Sequence, residues 1–184
     1  ALRLAYPKHK ISTDSINAVA VTAFSVDTIR ALSTITISGF VRDKNNAVLT
    51  SYNGILYPTV FDKSQNVNTL SNDGSATPPF TFKLQKNILY KGKVSVVNGY
   101  VSYTFIVPKD ILYNYAIGRI SYYAQNGTED GAGYYEKIII GGTDSNAPLD
   151  SKGPDVSLYL NDDKFVFGGI TDENPKLFSK IFDE

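Results

Sequence analysis

The stretch from Lys93 to Pro108, KVSVVNGYVSYTFIVP, is the sequence feature that most limits what this chain can fold into. Apolar or aromatic residues alternate with small polar ones around Asn98-Gly99, and a period of two is typical of a half-buried β-strand. Asn-Gly readily adopts the positive φ angles that both central positions of a type I′ turn require. The sequence therefore predicts a two-residue β-hairpin centred on Asn98 and Gly99.

Similar alternation recurs in short runs along most of the chain. These runs are separated by clusters of Gly, Asn, Asp and Pro, and they predict further strands at residues 33–41, 53–62, 80–84, 118–124 and 134–140. No segment keeps the helical period of 3.6 over the length of an average helix. About seven short strands of this kind predict an all-β fold, an antiparallel immunoglobulin-like β-sandwich, with a small barrel as the alternative.

The composition changes at residues 141–154, GGTDSNAPLDSKGP, and this change predicts a domain boundary. Small, polar, Pro- and Gly-rich stretches are typical of interdomain linkers. We therefore expect a sandwich at residues 11–142, a linker at 143–154 and the truncated start of a second β module at 155–184. The last segment is too short to form a stable domain alone, so it either docks on the sandwich or belongs to a larger module.

The composition also excludes several classes of site. The chain has no Cys and a single His, His9, which rules out thiolate nucleophiles, Cys-based metal sites and two-histidine metal sites. Eighteen Lys and Arg balance eighteen Asp and Glu, and zero net charge without a basic block argues against nucleic-acid binding. No apolar run approaches the roughly 20 residues of a membrane-spanning helix. His9 is expected to be exposed and without a catalytic partner.

Acidic residues around the linker are the candidate metal ligands. Asp144, Asp150 and Asp155 flank the Pro- and Gly-rich stretch, and calcium binds several carboxylate and carbonyl oxygens. The spacing fits no EF-hand loop, so solvated carboxylates are the favoured interpretation and a calcium site is the alternative. We expect no other cofactor.

Tyrosines are the candidate interaction residues. The chain contains 13 of them, and Tyr is enriched at protein interfaces and stacks on sugar rings. Most are expected to fill the strands. Because adjacent strand residues point to opposite faces, one member of Tyr122-Tyr123 and one of Tyr134-Tyr135 faces outward. We select Tyr123 and Tyr135 as candidates.

Several strand and turn motifs, taken in order, resemble one family. The opening ALRLAYP is similar to the segment that closes the caspase-like catalytic domain of gingipain-family cysteine peptidases. The later motifs resemble the β-rich region after the peptidase domain in the type IX secretion sortases of that family. They are GILYPTVFDK (54–63), TLSNDG (69–74), QKNILYKG (85–92), FIVPKD (105–110), ISYYA (120–124), GYY (133–135) and IGG (140–142).

The resemblance implies an exported, outer-membrane-associated protein of the cell surface. In such proteins the peptidase removes sorting signals from secreted cargo and attaches the cargo to the surface. The catalytic Cys and His of the family lie in the upstream domain, of which residues 1–10 would be the end. This chain has no Cys, so no catalytic residue is carried over.

The expected function of this chain is therefore that of a non-catalytic accessory β-sandwich. Its expected partners are the upstream peptidase domain, secreted cargo and outer-membrane secretion components. A carbohydrate-binding or adhesin sandwich that uses exposed tyrosines is the alternative. An autonomous hydrolase with a carboxylate pair has no motif to mark it.

Overall fold

A computed structural model describes residues 7–24, 26–72, 78–147 and 153–182. Within these residues every regular element is a β-strand, which confirms the all-β prediction, and none forms a helix with the length and hydrophobicity of a membrane span. The strands are β1 His9–Ile16, β2 Val19–Ala20, β3 Asp27–Ala31, β4 Thr34–Arg42, β5 Gly54–Phe61, β6 Gln65–Asn68, β7 Thr81–Leu84, β8 Ile88–Lys91, β9 Val94–Val96, β10 Tyr100–Ile106, β11 Ala116–Ile117, β12 Arg119–Gln125, β13 Asp130–Tyr135, β14 Ile138–Thr143, β15 Asp155–Leu160 and β16 Leu177–Phe182.

Nine of the described strands form one sheet. Its order is β10-β4-β1-β13-β12-β5-β8, with β2 beside β1 and β9 beside β5. A second sheet has the order β11-β14-β3, and β6 with β7 and β15 with β16 form two hairpins. The strand order places β1, from the beginning of the chain, in the middle of the large sheet.

Two strand pairs are parallel, so the predicted antiparallel sandwich is corrected to a mixed one. β1 runs parallel to β13, with His9 opposite Gly131, and β3 runs parallel to β14, with Ile29 opposite Ile140. A period of two is the same for either direction of pairing. No turn joins partners so distant in the sequence, so nothing local reveals their direction.

The strand predicted at residues 134–140 is two strands. β13 pairs with β12 in the large sheet, whereas β14 pairs with β3 and β11 in the small one. The chain therefore passes from one sheet to the other at Glu136 and Lys137. Glu136 and Lys137 interrupt the aromatic and aliphatic residues of this run, but two charged residues alone do not show that the strand ends there.

The hydrophobic core draws its residues from both of the larger sheets. In β10 the face predicted to be apolar is the buried one, since Val101, Tyr103 and Phe105 are at most 6% exposed. Tyr90 of β8 stacks on Phe105, with ring centroids 4.6 Å apart. From the small sheet, Ile138 and Ile140 are fully buried.

The predicted Asn98-Gly99 hairpin is present. Asn98 has a φ of 51° and Gly99 a φ of 74°, which are the two positive values that a type I′ turn needs. The flanking residues Val97 and Tyr100 exchange two backbone hydrogen bonds of 2.9 Å each. The turn thus joins β9 to β10 in the register that buries the apolar face of β10.

The chain divides into two compact units, residues 1–147 and residues 148–184. The first unit contains both larger sheets, and β1 within it begins at His9. Residues 1–6, most of the segment predicted to end a catalytic domain, lie outside the described residues. The second unit contains the β15–β16 hairpin, whose pairing runs from Asp155 opposite Phe182 to Leu160 opposite Leu177.

Candidate functional site

One face of the nine-stranded sheet exposes aromatic side chains. Tyr123 is 47% exposed, whereas Tyr122 beside it is 4% exposed and lies in the core. Tyr134 is 70% exposed, while Tyr135 packs against the core. The structure therefore places Tyr123 on the surface as selected. It corrects the exposure expected for Tyr135, because β13 turns that side chain inward and presents Tyr134.

Tyr123 forms part of an aromatic pair on this face. It lies opposite Tyr57 of β5, and the two rings stack with centroids 6.3 Å apart and 29° between their planes. Farther along the sheet, Phe40 of β4 and Tyr100 of β10 meet with centroids 5.4 Å apart. Paired rings on a sheet offer a flat apolar surface to a sugar ring or to a side chain of another protein.

A groove of about 970 Å³ opens on the surface beside Tyr134. Its lining comes from β1, β12 and β13 and from the two residues that follow β13. β13 contributes Ala132 and Gly133, whose small size leaves room above the backbone. Tyr134 lines the groove with its largely exposed ring.

The groove carries more positive than negative charge. Lys10, Arg119 and Lys137 line it together with a single carboxylate, Glu136. The Nζ of Lys137 donates a hydrogen bond to the Ala23 carbonyl at 2.7 Å. The excess of cations gives the groove a preference for anionic groups.

Arg119 is held against an aromatic ring. Its guanidinium carbon lies 5.0 Å from the centroid of the Phe61 ring, in a cation–π contact. The Nε of Arg119 is buried and has no hydrogen-bond partner among the described residues. Arg119 is thus fixed in position by Phe61 while a donor of its guanidinium is unused.

His9 is buried at 9% exposure, and the prediction that it is exposed is wrong. β1 lies in the middle of the sheet, and the His9 ring meets the Tyr52 ring edge-on with centroids 5.7 Å apart. His9 Nε2 lies 2.8 Å from Glu129 Oε2, and Lys8 bonds the other oxygen of the same carboxylate. Hydrogen bonds from Lys8 and then from His9 hold the pKa of Glu129 below its usual value.

The surroundings of His9 define what its ring can do chemically. Nucleophilic catalysis by a hydroxyl group requires that group within hydrogen-bond reach of the imidazole, with a second group that orients the ring. Glu129 supplies the orienting carboxylate. The other ring nitrogen, Nδ1, is buried and has no hydrogen-bond partner among the described residues. The arrangement therefore joins β1 to the loop before β13 without a bonded nucleophile.

The candidate calcium ligands fall in different parts of the chain. Asp144 belongs to the first unit, where its Oδ1 accepts a hydrogen bond from the Asn146 N–H at 3.0 Å. Asp155 begins β15 in the second unit, and Asp150 lies outside the described residues. Across the residues that the structure describes, no three His, Asp or Glu side chains are grouped so that they could hold a metal ion. The calcium site stays a prediction.

A buried ion pair directly after β5 is not apparent from the sequence. Asp62 and Lys63 are each 2% exposed, and Lys63 Nζ lies 2.9 Å from Asp62 Oδ1. The same oxygen accepts a hydrogen bond from the Lys63 backbone N–H at 2.8 Å. The regular strand pattern ends at Phe61, so no periodicity indicates which way the next two side chains point.

Sequence reasoning singled out the Tyr134-Tyr135 pair of the groove but not its charged residues, although part of the signal for Arg119 was present. Arg119, Ser121 and Tyr123 occupy alternate positions of β12, so the rule that turns Tyr123 outward also turns Arg119 outward. The position of Lys10 has no such signal. It lies opposite Ala132 only because β1 pairs with β13.

A solved structure resembles this chain along nearly its whole length. No protein-family model matches the chain, and no curated protein matches it. The chain is similar to the crystal structure of dimeric latent PorU from Porphyromonas gingivalis, with a TM-score of 0.71 and 25% sequence identity over 99% of this chain. The similar region makes up 17% of that PorU chain, so this chain spans well under two thirds of its length.

Proposed function

We propose that this chain, a PorU-related domain, is a non-catalytic accessory module that binds other proteins beside the peptidase domain of a longer polypeptide. The observation that carries the proposal is the similarity to PorU over 99% of the chain. The resemblance of its motifs to gingipain-family peptidases supports the same conclusion. The parent protein would then be an exported cysteine peptidase of the cell surface, with secreted cargo and outer-membrane secretion components as its partners.

The exposed face of the large sheet supports an interaction role. A sheet face turned to solvent ordinarily presents polar side chains. Here Tyr100, Tyr123 and Tyr134 remain 44–70% exposed on one face. Tyr is enriched where proteins meet, because its ring buries a large apolar area and its hydroxyl finds a partner.

The domain organisation is part of this proposal. We take residues 1–10 as the end of the catalytic domain, although His9 and Lys10 already belong to β1 of the large sheet. Residues 11–142 then form an immunoglobulin-like sandwich, residues 143–154 a linker and residues 155–184 the start of a second β module. The division of the chain after residue 147 supports the linker. The register of the β15–β16 hairpin puts Val156, Leu158, Leu160, Leu177 and Ile181 on one face, as the inner face of a sandwich requires.

Expression of the parts separately and together tests the accessory role. The peptidase domain of the parent protein would be prepared alone and joined to this chain. Calorimetry would measure binding between the separate parts, and cleavage of a peptide would measure activity. We expect the parts to associate and the activity to differ when the chain is present. No association, together with full activity of the isolated peptidase domain, would contradict the proposal.

A carbohydrate-binding or adhesin role is the second candidate, and the stacked Tyr57–Tyr123 pair favours it. A glycan array probed with the whole chain tests this role. Loss of binding in Tyr123→Ala but not in Tyr113→Ala would support it, because Tyr113 is comparably exposed, at 54%, outside the strands. An array without signal for the unaltered chain would contradict it.

A further inference from the structure

The groove beside Tyr134 lies where two strands of the large sheet part. The parallel pairing of β1 with β13 consists of His9 with Gly131 and Lys10 with Ala132. Beyond these pairs β1 continues against β4 as far as Ile16, and β13 continues against β12 as far as Tyr135. The pairing of the two strands thus ends beside residues that line the groove.

Three consecutive small residues form the β13 side of this junction. They are Gly131, Ala132 and Gly133. A side chain at Gly133 would meet the Ile11 carbonyl oxygen, which lies 2.0 Å from the position of its Cβ. The backbones of β1 and β13 therefore touch here, and Ala132 and Gly133 leave this part of the groove without large side chains.

The cations of the groove are available to a ligand. Lys10 and Arg119 form no ion pair among the described residues. Glu129, the acid near the other end of β13, is already bound by Lys8 and His9. A partner that brings carboxylates would complement two positive charges that the sandwich leaves unpaired.

Arg119 is suited to a carboxylate in particular. A guanidinium binds a carboxylate through two parallel N–H donors. This geometry fixes the orientation of the ligand in addition to pairing with its negative charge. The contact with Phe61 already restrains this side chain, so less conformational entropy is lost when it binds. The exposed Tyr134 ring adds an apolar surface at the same groove.

We infer that the groove binds an extended, acidic peptide segment of a partner protein. Carboxylates at alternate positions of an extended chain point to one side, and on that side they would meet Lys10 and Arg119. A surface groove of about 970 Å³ that runs beside strands suits a peptide, because an extended peptide binds next to strands. The Tyr57–Tyr123 pair, on which a sugar would stack, does not line the groove. This inference rests on the proposed interaction role, and it specifies that the bound partner segment is an acidic peptide.

A peptide-binding measurement on the whole chain tests the inference. The probe is a fluorescein-labelled nonapeptide in which Glu alternates with Thr, followed by fluorescence anisotropy at low and high salt. We expect binding that weakens at high salt, because screening reduces attraction between exposed charges. A matched peptide with Lys in place of Glu should not bind.

Substitutions in the groove locate the binding site. Lys10→Gln and Arg119→Gln should each weaken binding about tenfold, since each removes a charge-assisted hydrogen bond. Arg119→Lys keeps the charge and loses the two-donor geometry, so it should also weaken binding. Lys44→Gln, in the exposed turn after β4, is the matched control and should bind as the unaltered chain does. Lys10 is exposed, so its variant keeps the test valid if Arg119 variants fold poorly.

Three outcomes would overturn the inference. They are absence of peptide binding, equal binding by the Lys10→Gln and Lys44→Gln variants, and tighter binding of an oligogalacturonate than of the acidic peptide. The last would assign the groove to an anionic glycan. None of these outcomes depends on the association of the chain with a peptidase domain, so the proposed function is judged separately.

Discussion

At the residue scale, Asp62 and Lys63 are two adjacent charged residues that are buried together as an ion pair. Desolvation of two charges costs several kcal/mol, which only good geometry and further hydrogen bonds offset. Here Asp62 Oδ1 accepts from both the Nζ and the backbone N–H of Lys63. The Gln85 side chain donates to the Asp62 carbonyl at 2.7 Å. The pair therefore depends on both partners being present.

Removal of one partner should cost more stability than removal of both. Lys63→Met leaves the Asp62 carboxylate buried without its cation, and we expect a loss of about 3–5 kcal/mol in the free energy of unfolding. The double change Asp62→Leu with Lys63→Met should recover much of that loss. Urea denaturation measures both, with Lys44→Met in an exposed turn as the control. An equal loss in Lys63→Met and Lys44→Met would show that the pair does not stabilise the fold.

Single residues also show where sequence reasoning ends. Alternation decides that one member of Tyr122-Tyr123 and one member of Tyr134-Tyr135 must be exposed, but not which one. For the second pair, that choice depends on how β13 registers with β12, where Tyr134 lies opposite Ser121. His9 is polar and flanked by lysines, so only the central position of β1 in the sheet explains its burial.

At the element scale, the Asn98-Gly99 turn is the part of the fold that the sequence predicts most closely. The turn chemistry is local, because two residues with positive φ are enough to reverse the chain. The strands on either side of the turn can be predicted from their alternation of apolar and polar residues alone. By contrast, the different sheets of β13 and β14 depend on their distant partners β1 and β3, and no local pattern identifies those partners.

Gly99 should tolerate substitution less well than another glycine with positive φ. In Gly99→Ala the new Cβ would lie 2.3 Å from the Leu49 carbonyl oxygen, in addition to the strain of a φ of 74°. We expect a loss of about 3 kcal/mol, from left-handed strain plus overpacking. Gly127→Ala, with a φ of 92° and no atom within 4 Å, isolates the strain and should cost about 1 kcal/mol. Equal losses in urea denaturation would contradict a steric role for the Leu49 contact.

At the scale of the whole molecule, the two units differ in how they are stabilised. The first unit buries an apolar core drawn from two sheets. In the second unit, Leu177, Ile181 and Phe182 are 67–73% exposed. A two-stranded hairpin without a covered face is marginally stable in water. The second unit should therefore open far more readily than the first.

Hydrogen exchange of the whole chain measures this difference. We expect amides of β15 and β16 to be protected about a hundredfold less than those of β4 and β12, because local opening needs less free energy where few apolar contacts are lost. Exchange followed by mass spectrometry reports each segment separately. Equal protection of the two pairs of strands would show that the hairpin is covered in solution.

The parallel pairing of β1 with β13 ties the order of folding to the order of synthesis. β1 occupies a central place in the large sheet, yet its parallel partner β13 is made only after eleven other described strands have followed β1. β3 likewise has no parallel partner until β14 has been made. Closing such long loops is slow, since their entropy is lost before distant contacts form. A chain of this fold therefore stays incomplete until nearly all of its first unit has emerged, because the large sheet is completed only by β13 and the small sheet only by β14.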